Sequence, residues 1–311
     1  MTFTRLEYAP HSTREAGLRD ALSACLDTEV AVRFWRSGAD YGAYLVTGHN
    51  LPAAVLRVSH VERTSTSYDG AVDFSTMVER EVEVHRRLRE AGIPCPEVLA
   101  YDVGRDVVPW SWMLSTLIEH EPVDALDDRQ RRELGAVAAA IHRIRVPPES
   151  LLRSPAASWA QHISGRLGRR LAELARYAAL PGDTSAWEEL VGAHVGEPGA
   201  DGWRLLHMDL RADNICVRDG RIVGLLDMTN ALAGDPGLEI GRLRAYGLLD
   251  QMFEAGYGAL AARQAPLAVD VYSLDTTAML ALLAREELAD RAMFEHHVTL
   301  TRATLERLLD G

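Results

Sequence analysis

The sequence predicts an α+β chain of two lobes: a β-rich N-terminal lobe with one main helix, residues 1–117, and a larger α-helical C-terminal lobe, residues 118–311. Three observations carry that expectation. Alternating or β-rich runs crowd into residues 29–60 and again into 97–120. From Asp127 onward, helical periodicity dominates. With 311 residues, the chain is also too long for one small core.

The elements follow in order. STREAGLRDALSACLD, 12–27, has apolar spacing near 3.6 and a serine start, so it reads as a first helix. Two strands flank SGADYG and a third, AAVLRVS, follows GHNLP, giving a small antiparallel sheet with a glycine-bearing loop. Residues 73–91 form an amphipathic helix with Met77, Val84, Leu88 and Ala91 near one stripe. It stops at Gly92, with Pro94 and Pro96 forbidding continuation. PEVLAYDV and WSWMLSTLIEH supply two more strands, and the connection to the second lobe lies between Ser115 and Asp127. Helices are then expected over DDRQRRELGAVAAAIHRIR, over SWAQHISGRLGRRLAELARYAAL and over SAWEELVGAHV. After short strands, the helical pattern resumes in GLEIGRLRAYGLLDQMFEAGYG and runs through PLAVDVYSLDTTAMLALLARE to Asp310.

Composition excludes several classes. The 47% hydrophobic and 25% charged content is ordinary for a globular protein. No apolar run approaches the roughly 20 residues of a membrane span, and the N-terminus carries no signal-peptide pattern, so a cytoplasmic protein is expected. Cys25, Cys95 and Cys216 are widely spaced and read as buried apolar residues, not as a disulfide frame or zinc site. All 33 basic residues are arginine. Schiff-base lysines and the GxxxxGK[ST] loop are therefore excluded, and any phosphate-gripping cation must be a guanidinium. A net charge of −12 argues against a nucleic-acid partner and is compatible with a cationic small substrate. From Asp250 to the end, ten acidic residues face five arginines, which points the same way.

The chemistry concentrates in RLLHMDLRADNICVRDGRIVGLLD, 204–227. Asn214 lies five positions after Asp209, and Asp227 eighteen positions after it, closing the apolar run IVGLLD. DGR at 219–221 turns ICV back onto IVGLL, so a hairpin brings Asn214 and Asp227 to neighbouring strand ends. An amide oxygen converging with a carboxylate suits Mg²⁺. Asp209 beside them can accept the proton of an attacking hydroxyl, the arrangement H-x-D-x-x-x-x-N followed by a strand-end aspartate.

HMDLRADN with LLD and GDPGLEIGRL resembles the aminoglycoside phosphotransferase family, the small-molecule branch of the protein-kinase-like fold. REVEVHRRLREAGIPCPEVLAYD and LGAVAAAIHRI extend the resemblance over roughly residues 30–260. It implies a bilobal kinase-like fold and an O-phosphotransferase using ATP or GTP with Mg²⁺. It makes Asp209 the catalytic base, with His207 orienting its loop, and Asn214 and Asp227 the metal ligands. Glu81 would pair with the phosphate-binding cation. Gly38 and Gly42 would lie in the loop over the nucleotide phosphates, and Ser115, Thr116 and Leu117 in a hinge meeting the purine edge. Two features depart from protein kinases: Arg57 stands where they carry lysine, and DMT stands in place of DFG with no APE segment following, which argues against a protein substrate.

Bland readings stand beside these. Glu81, among Glu79, Glu83 and several arginines, also suits a solvated salt-bridged face, and Arg57 a strand residue facing water. Arg211 is expected as a structural partner of a carboxylate, Trp110 and Trp112 as packing, and His296 with His297 as surface. The implied acceptor is an antibiotic, an aminoglycoside or another sugar- or nucleoside-containing compound. The alternatives are a metabolic kinase of an amino alcohol or sugar, and a nucleotide-binding pseudokinase.

Overall fold

A computed structural model describes residues 11–38, 40–105, 108–198, 202–258 and 265–310. The chain forms two compact units. The first comprises the chain up to Thr64, Val72–Arg86 and Pro96–Glu119; the second comprises Ser65–Ala71, Arg87–Cys95 and everything from His120.

The first unit is built on a five-stranded antiparallel sheet. Its elements are α1 (His11–Leu26), β1 (Val30–Ser37), β2 (Tyr41–Gly48), β3 (Leu51–Ser59), α2 (Phe74–Glu90, whose last turn groups with the second unit) and two later strands. Between β3 and α2 the sequence reading missed a short hairpin, β4 (Arg63–Thr66) and β5 (Gly70–Asp73); β6 (Val98–Asp102) and β7 (Trp112–Thr116) then complete the sheet. Its order is β1-β2-β3-β7-β6. Strand alternation divides the apolar side chains between its faces. Tyr44, Val46, Leu56, Val58, Trp112 and Leu114 pack on Leu18 and Leu22 of α1, whereas Tyr41 and Met113 pack on Phe74 and Val78 of α2. The buried stripe of α2 thus runs through Phe74, Val78, Val84 and Leu88, and Ala91 is exposed. Gly92 ends the helix at φ 71°, a left-handed conformation that suits glycine.

The second unit is mostly helical: α3 (Asp128–Ile141), α4 (Trp159–Leu174), α5 (Thr184–His194), α6 (Pro236–Ala245), α7 (Gln251–Tyr257), α8 (Pro266–Glu286) and α9 (Arg291–Leu309). Two strand pairs sit among them: β8 (Arg204–Leu206) with β11 (Leu232–Gly234), and β9 (Ile215–Arg218) with β10 (Arg221–Leu225). Asp127 caps α3 through a reciprocal box with Gln130. Contrary to the expectation of a helix through residue 180, α4 stops at Leu174. Its apolar stripe Ile163, Leu167, Leu171 and Leu174 ends there, and exposed Arg176 and Tyr177 close a tighter turn. The tip of the β4–β5 hairpin belongs to this unit because Arg170 of α4 donates to the Tyr68 carbonyl at 3.0 Å and to Asp69 at 2.7 Å. Ser67 adds a hydrogen bond to Glu286 at 2.7 Å.

One sequence expectation needs correction here. By length and composition α8 would suffice to cross a membrane, but 78% of its most apolar window is buried within the protein. It is a core helix, interrupted by a buried aspartate, Asp275, that pairs with Arg166 and Arg170.

Candidate active site

The loop after β8 is where the second unit assembles its polar groups. Leu206 pairs with Leu232 of β11, and the chain then leaves the ladder through His207 and Met208. Met208 is held at φ 67°, a conformation that costs a side-chain-bearing residue energy and persists only when its surroundings enforce it. Glu239, near the start of α6, does the enforcing. Its carboxylate accepts the backbone N–H of Met208 at 2.6 Å and that of His207 at 3.0 Å. Asp235 and Pro236 start α6 and so fix where Glu239 stands; the Asp235 side chain accepts the Gly237 N–H at 2.8 Å. Behind Glu239, His142 at the end of α3 lies 2.8 Å from the carboxylate, and the Tyr257 hydroxyl lies 2.6 Å from the other His142 nitrogen. Burial alone would raise the Glu239 carboxyl, but the hydrogen bond and charge of His142 and the His207 contacts hold it below its ordinary value. Burial raises the Tyr257 phenol, so it stays a donor.

Asp209 is the centre of the loop, 4% exposed. His207 accepts its backbone N–H through Nδ1 at 3.2 Å, so the histidine shapes the loop from inside, itself buried. Asn214, at the end of a single 3-10 turn over Ala212–Asn214, donates through Nδ2 to both the Asp209 carbonyl and its Oδ2 at 2.9 Å. With its nitrogen committed, the amide offers Oδ1 to a cation. The β9–β10 hairpin turns at Asp219 and Gly220, both left-handed at φ 52° and 68°, as a two-residue turn requires. Its ladder continues past β10, where the Leu226 N–H meets the Asn214 carbonyl at 2.8 Å, so Asp227 is next in line to Asn214 across the pair. Asp227 is itself left-handed at φ 58° and accepts the Thr229 hydroxyl. Among the described residues no group of three or more His, Cys, Asp or Glu side chains forms a metal cage. A two-oxygen site of one amide and one carboxylate suits an ion that keeps water and phosphate ligands, as Mg²⁺ does.

Two arginines complete the surroundings. Arg211 grips Asp209 with two hydrogen bonds, Nε at 2.8 Å and an Nη at 3.2 Å, so the carboxylate it serves is the loop's own. Arg242 of α6, 5% exposed, brings its guanidinium within 3.8 Å of Asp209 Oδ1. Arg242, Glu239 and Tyr257 escaped the sequence reading. The acidic start of α6 was legible as a pattern, but only the crossing of α6 under the loop reveals which backbone groups it holds.

In the first unit, Arg57 of β3 donates to Glu81 of α2 at 2.9 Å and lies over the Tyr41 ring at 4.3 Å. Glu81 is 1% exposed while Glu79 is exposed, so the solvated-face reading of Glu81 does not hold. Gly38 closes the β1–β2 turn, its N–H on the Tyr41 carbonyl at 2.9 Å; Ala39 of the same loop lies outside the described residues. Gly42, expected in that loop, is a β2 residue paired with Ser37 and Val58. Ser115 and Thr116 are likewise strand residues, and the N–H groups of Thr116 and Leu117 are spent on Glu97 and Ala53 at 2.9 and 2.8 Å. Those two donors are held by neighbouring backbone carbonyls. Two smaller expectations also change: Cys25 is exposed, and His297 is buried.

Strand order, the placement of one helix against the sheet and the loop spacing together define a kinase-like phosphotransferase. The profile of the phosphotransferase enzyme family, APH, matches residues 31–272, and the chain belongs to that family. No protein of curated function matches it in sequence. Solved structures carry the same fold. The macrolide 2'-phosphotransferase of Brachybacterium faecium is 19% identical with a TM-score of 0.58, over 94% of this chain and 98% of that one. An aminoglycoside phosphotransferase APH(4)-Ia, in a ternary complex with ADP and hygromycin B, is 16% identical with a TM-score of 0.60 over 94% and 98%. Spectinomycin phosphotransferase, bound to ADP and spectinomycin, is 16% identical with a TM-score of 0.57 over 93% and 98%.

Proposed function

We propose that this chain moves the γ-phosphoryl group of ATP or GTP onto a hydroxyl of a small molecule, with Asp209 as the base. The observation that carries this is the buried Asp209 carboxylate, bound by Asn214 and Arg211, in a loop that Glu239 holds in a left-handed turn. As the acceptor oxygen bonds to phosphorus and the bond to the nucleoside diphosphate breaks, Asp209 orients the hydroxyl and takes its proton. His207 shapes the loop from beneath. Asn214 Oδ1 and the Asp227 carboxylate are the ligands for Mg²⁺, which when bound offsets charge on the phosphates. Arg57, steadied by Glu81 and Tyr41, braces the phosphates as a planar fork. The turn at Gly38 covers them, and the backbone of Ser115, Thr116 and Leu117 is the hinge for the purine. The reaction belongs in the cytoplasm, where the donor is made.

The neighbours that bind hygromycin B and spectinomycin support an antibiotic acceptor and a role in resistance. A metabolic acceptor, an amino alcohol or sugar, is the second reading.

Incubation with Mg·ATP or Mg·GTP and a panel of hydroxyl acceptors, read by mass spectrometry, should show a gain of one phosphate. Asp209→Ala should lower transfer by about 10²–10⁴-fold while nucleotide affinity stays within about twofold. Turnover at the wild-type rate in that variant would remove Asp209 from the role.

A further inference from the structure

The β1–β2 turn is held by a residue outside it. His60 follows β3 directly, is 7% exposed, and reaches both limbs of the turn. Its backbone N–H donates to the Asp40 carbonyl at 2.9 Å. Its ring Nε2 lies 3.1 Å from the Gly38 carbonyl oxygen and 3.0 Å from Ser37 Oγ. A carbonyl oxygen can only accept, so Nε2 carries the proton. The Ser37 hydroxyl donates to the same Gly38 carbonyl at 3.2 Å, which leaves its oxygen to accept from the ring. The ring rests against Gly42, where an added Cβ would lie 3.5 Å from its Cε1.

The same turn is tied to the cation on β3. The Gly38 N–H closes on the Tyr41 carbonyl at 2.9 Å, and the Tyr41 ring lies 4.3 Å from the Arg57 guanidinium. The residue that closes the turn therefore also seats the arginine that Glu81 bonds. Electrostatics gives the clasp a purpose. Peptide N–H groups attract an anion and carbonyl oxygens repel it, so a turn over phosphates does best with its carbonyls engaged elsewhere. His60 engages two of them. A turn shaped in advance also gives up less freedom when a ligand arrives.

Resting on the reading of the Gly38 turn as the phosphate cover, we infer that His60 is a positioning residue for the nucleotide phosphates. It clasps the Gly38 and Asp40 carbonyls and so fixes the turn, and through Tyr41 the seat of Arg57, in the shape that binds them. Its effect falls on the phosphates and not on the purine.

The test is titration calorimetry on the full chain, with Mg·ATP against adenosine and Mg·GTP against guanosine. His60→Ala should bind the nucleotide about tenfold more weakly, while affinity for the nucleoside stays within about twofold. His60→Gln places an amide N–H₂ near the position of Nε2 and should recover most of the loss. His60→Asn, whose amide stops short of the turn, should not. If His60→Ala does not fold, the contrast between the two amide variants decides. Failure of both amide variants to fold assigns the ring to the core of its unit and overturns the inference.

Nucleotide affinity that is unchanged in every variant overturns it and leaves the phosphotransferase standing. So does an equal loss for nucleotide and nucleoside in His60→Ala, which is general damage to the unit. Equal affinities of the glutamine and asparagine variants likewise overturn it, because reach to the turn then counts for nothing. A wild type that binds neither Mg·ATP nor Mg·GTP is a different failure: it removes the nucleotide reading itself, and the role of His60 with it.

Discussion

Glu239 carries the geometry of the catalytic loop on two oxygens. It holds consecutive backbone N–H groups of a turn that Met208 would not adopt unaided, and it shares one oxygen with His142. Replacing it with glutamine keeps the size, removes the charge and forces an N–H₂ against one of these donors. Glu239→Gln is expected to destabilise the protein by about 1–3 kcal/mol, the scale for leaving a buried hydrogen-bonding group unsatisfied, measured by urea unfolding. The folded carboxyl sits below its ordinary value, so its stabilisation is present above the carboxylate range and lost as pH falls through the folded value. The glutamine variant should lack that part of the acid slope. The spacing of Asp209, Asn214 and Asp227 was legible because it is local, set by one turn and one hairpin. Glu239 and Arg242 were not, since which face of α6 meets the loop depends on how the helices cross. His297 and Cys25 were misread for the same reason: burial belongs to tertiary packing, not to residue type.

At the scale of elements, α3 and α7 approach closely at two glycines. A Cβ on Gly256 would fall 1.8 Å from the Arg132 carbonyl oxygen, and one on Gly135 would fall 2.1 Å from the Phe253 carbonyl oxygen. Both obstacles are backbone, so neither can swing aside and the helices must separate. Gly256→Ala is expected to cost about 3 kcal/mol, at the upper end for overpacking, visible as a lower thermal midpoint. Tyr257 is the next residue of α7 and bonds His142, so activity should fall with stability. Helix existence was readable from periodicity throughout; α1 and α2 fall within one residue of their expected limits, whereas α3 ends at Ile141, short of the expected 145. The β4–β5 hairpin was not readable, because RTST and GAVD are four-residue strands with little apolar alternation. Charged side chains of distant helices, Arg170 and Glu286, hold its tip.

At the level of the whole molecule, acid sensitivity has a second source in His162 on α4. Its ring stacks on Trp159 at 5.2 Å, and burial, with Arg166 beside it, lowers its pKa from 6.5 to about 4. The unfolded chain therefore binds the proton first. Stability present above pH 6.5 should be lost as pH falls to about 4, by up to about 3 kcal/mol at 1.36 kcal/mol per unit. His162→Gln should flatten that limb in denaturation curves taken across the window. The two-part organisation was legible as a change from strand to helix periodicity. The return of residues 65–71 and 87–95 to the second unit was not, because chain order does not reveal which contacts a crossing segment makes.

The pairing of Arg57 with Glu81 has one more effect, on the alkaline side. A lysine in that place would begin to shed its proton as pH climbs past about 10, whereas a guanidinium keeps its charge beyond about 12. The pair therefore keeps its charge across the range in which an enzyme can be assayed. On the proposed reading of Arg57, a decline in rate at high pH has its source in other groups, and amine-directed reagents find no lysine side chain to modify.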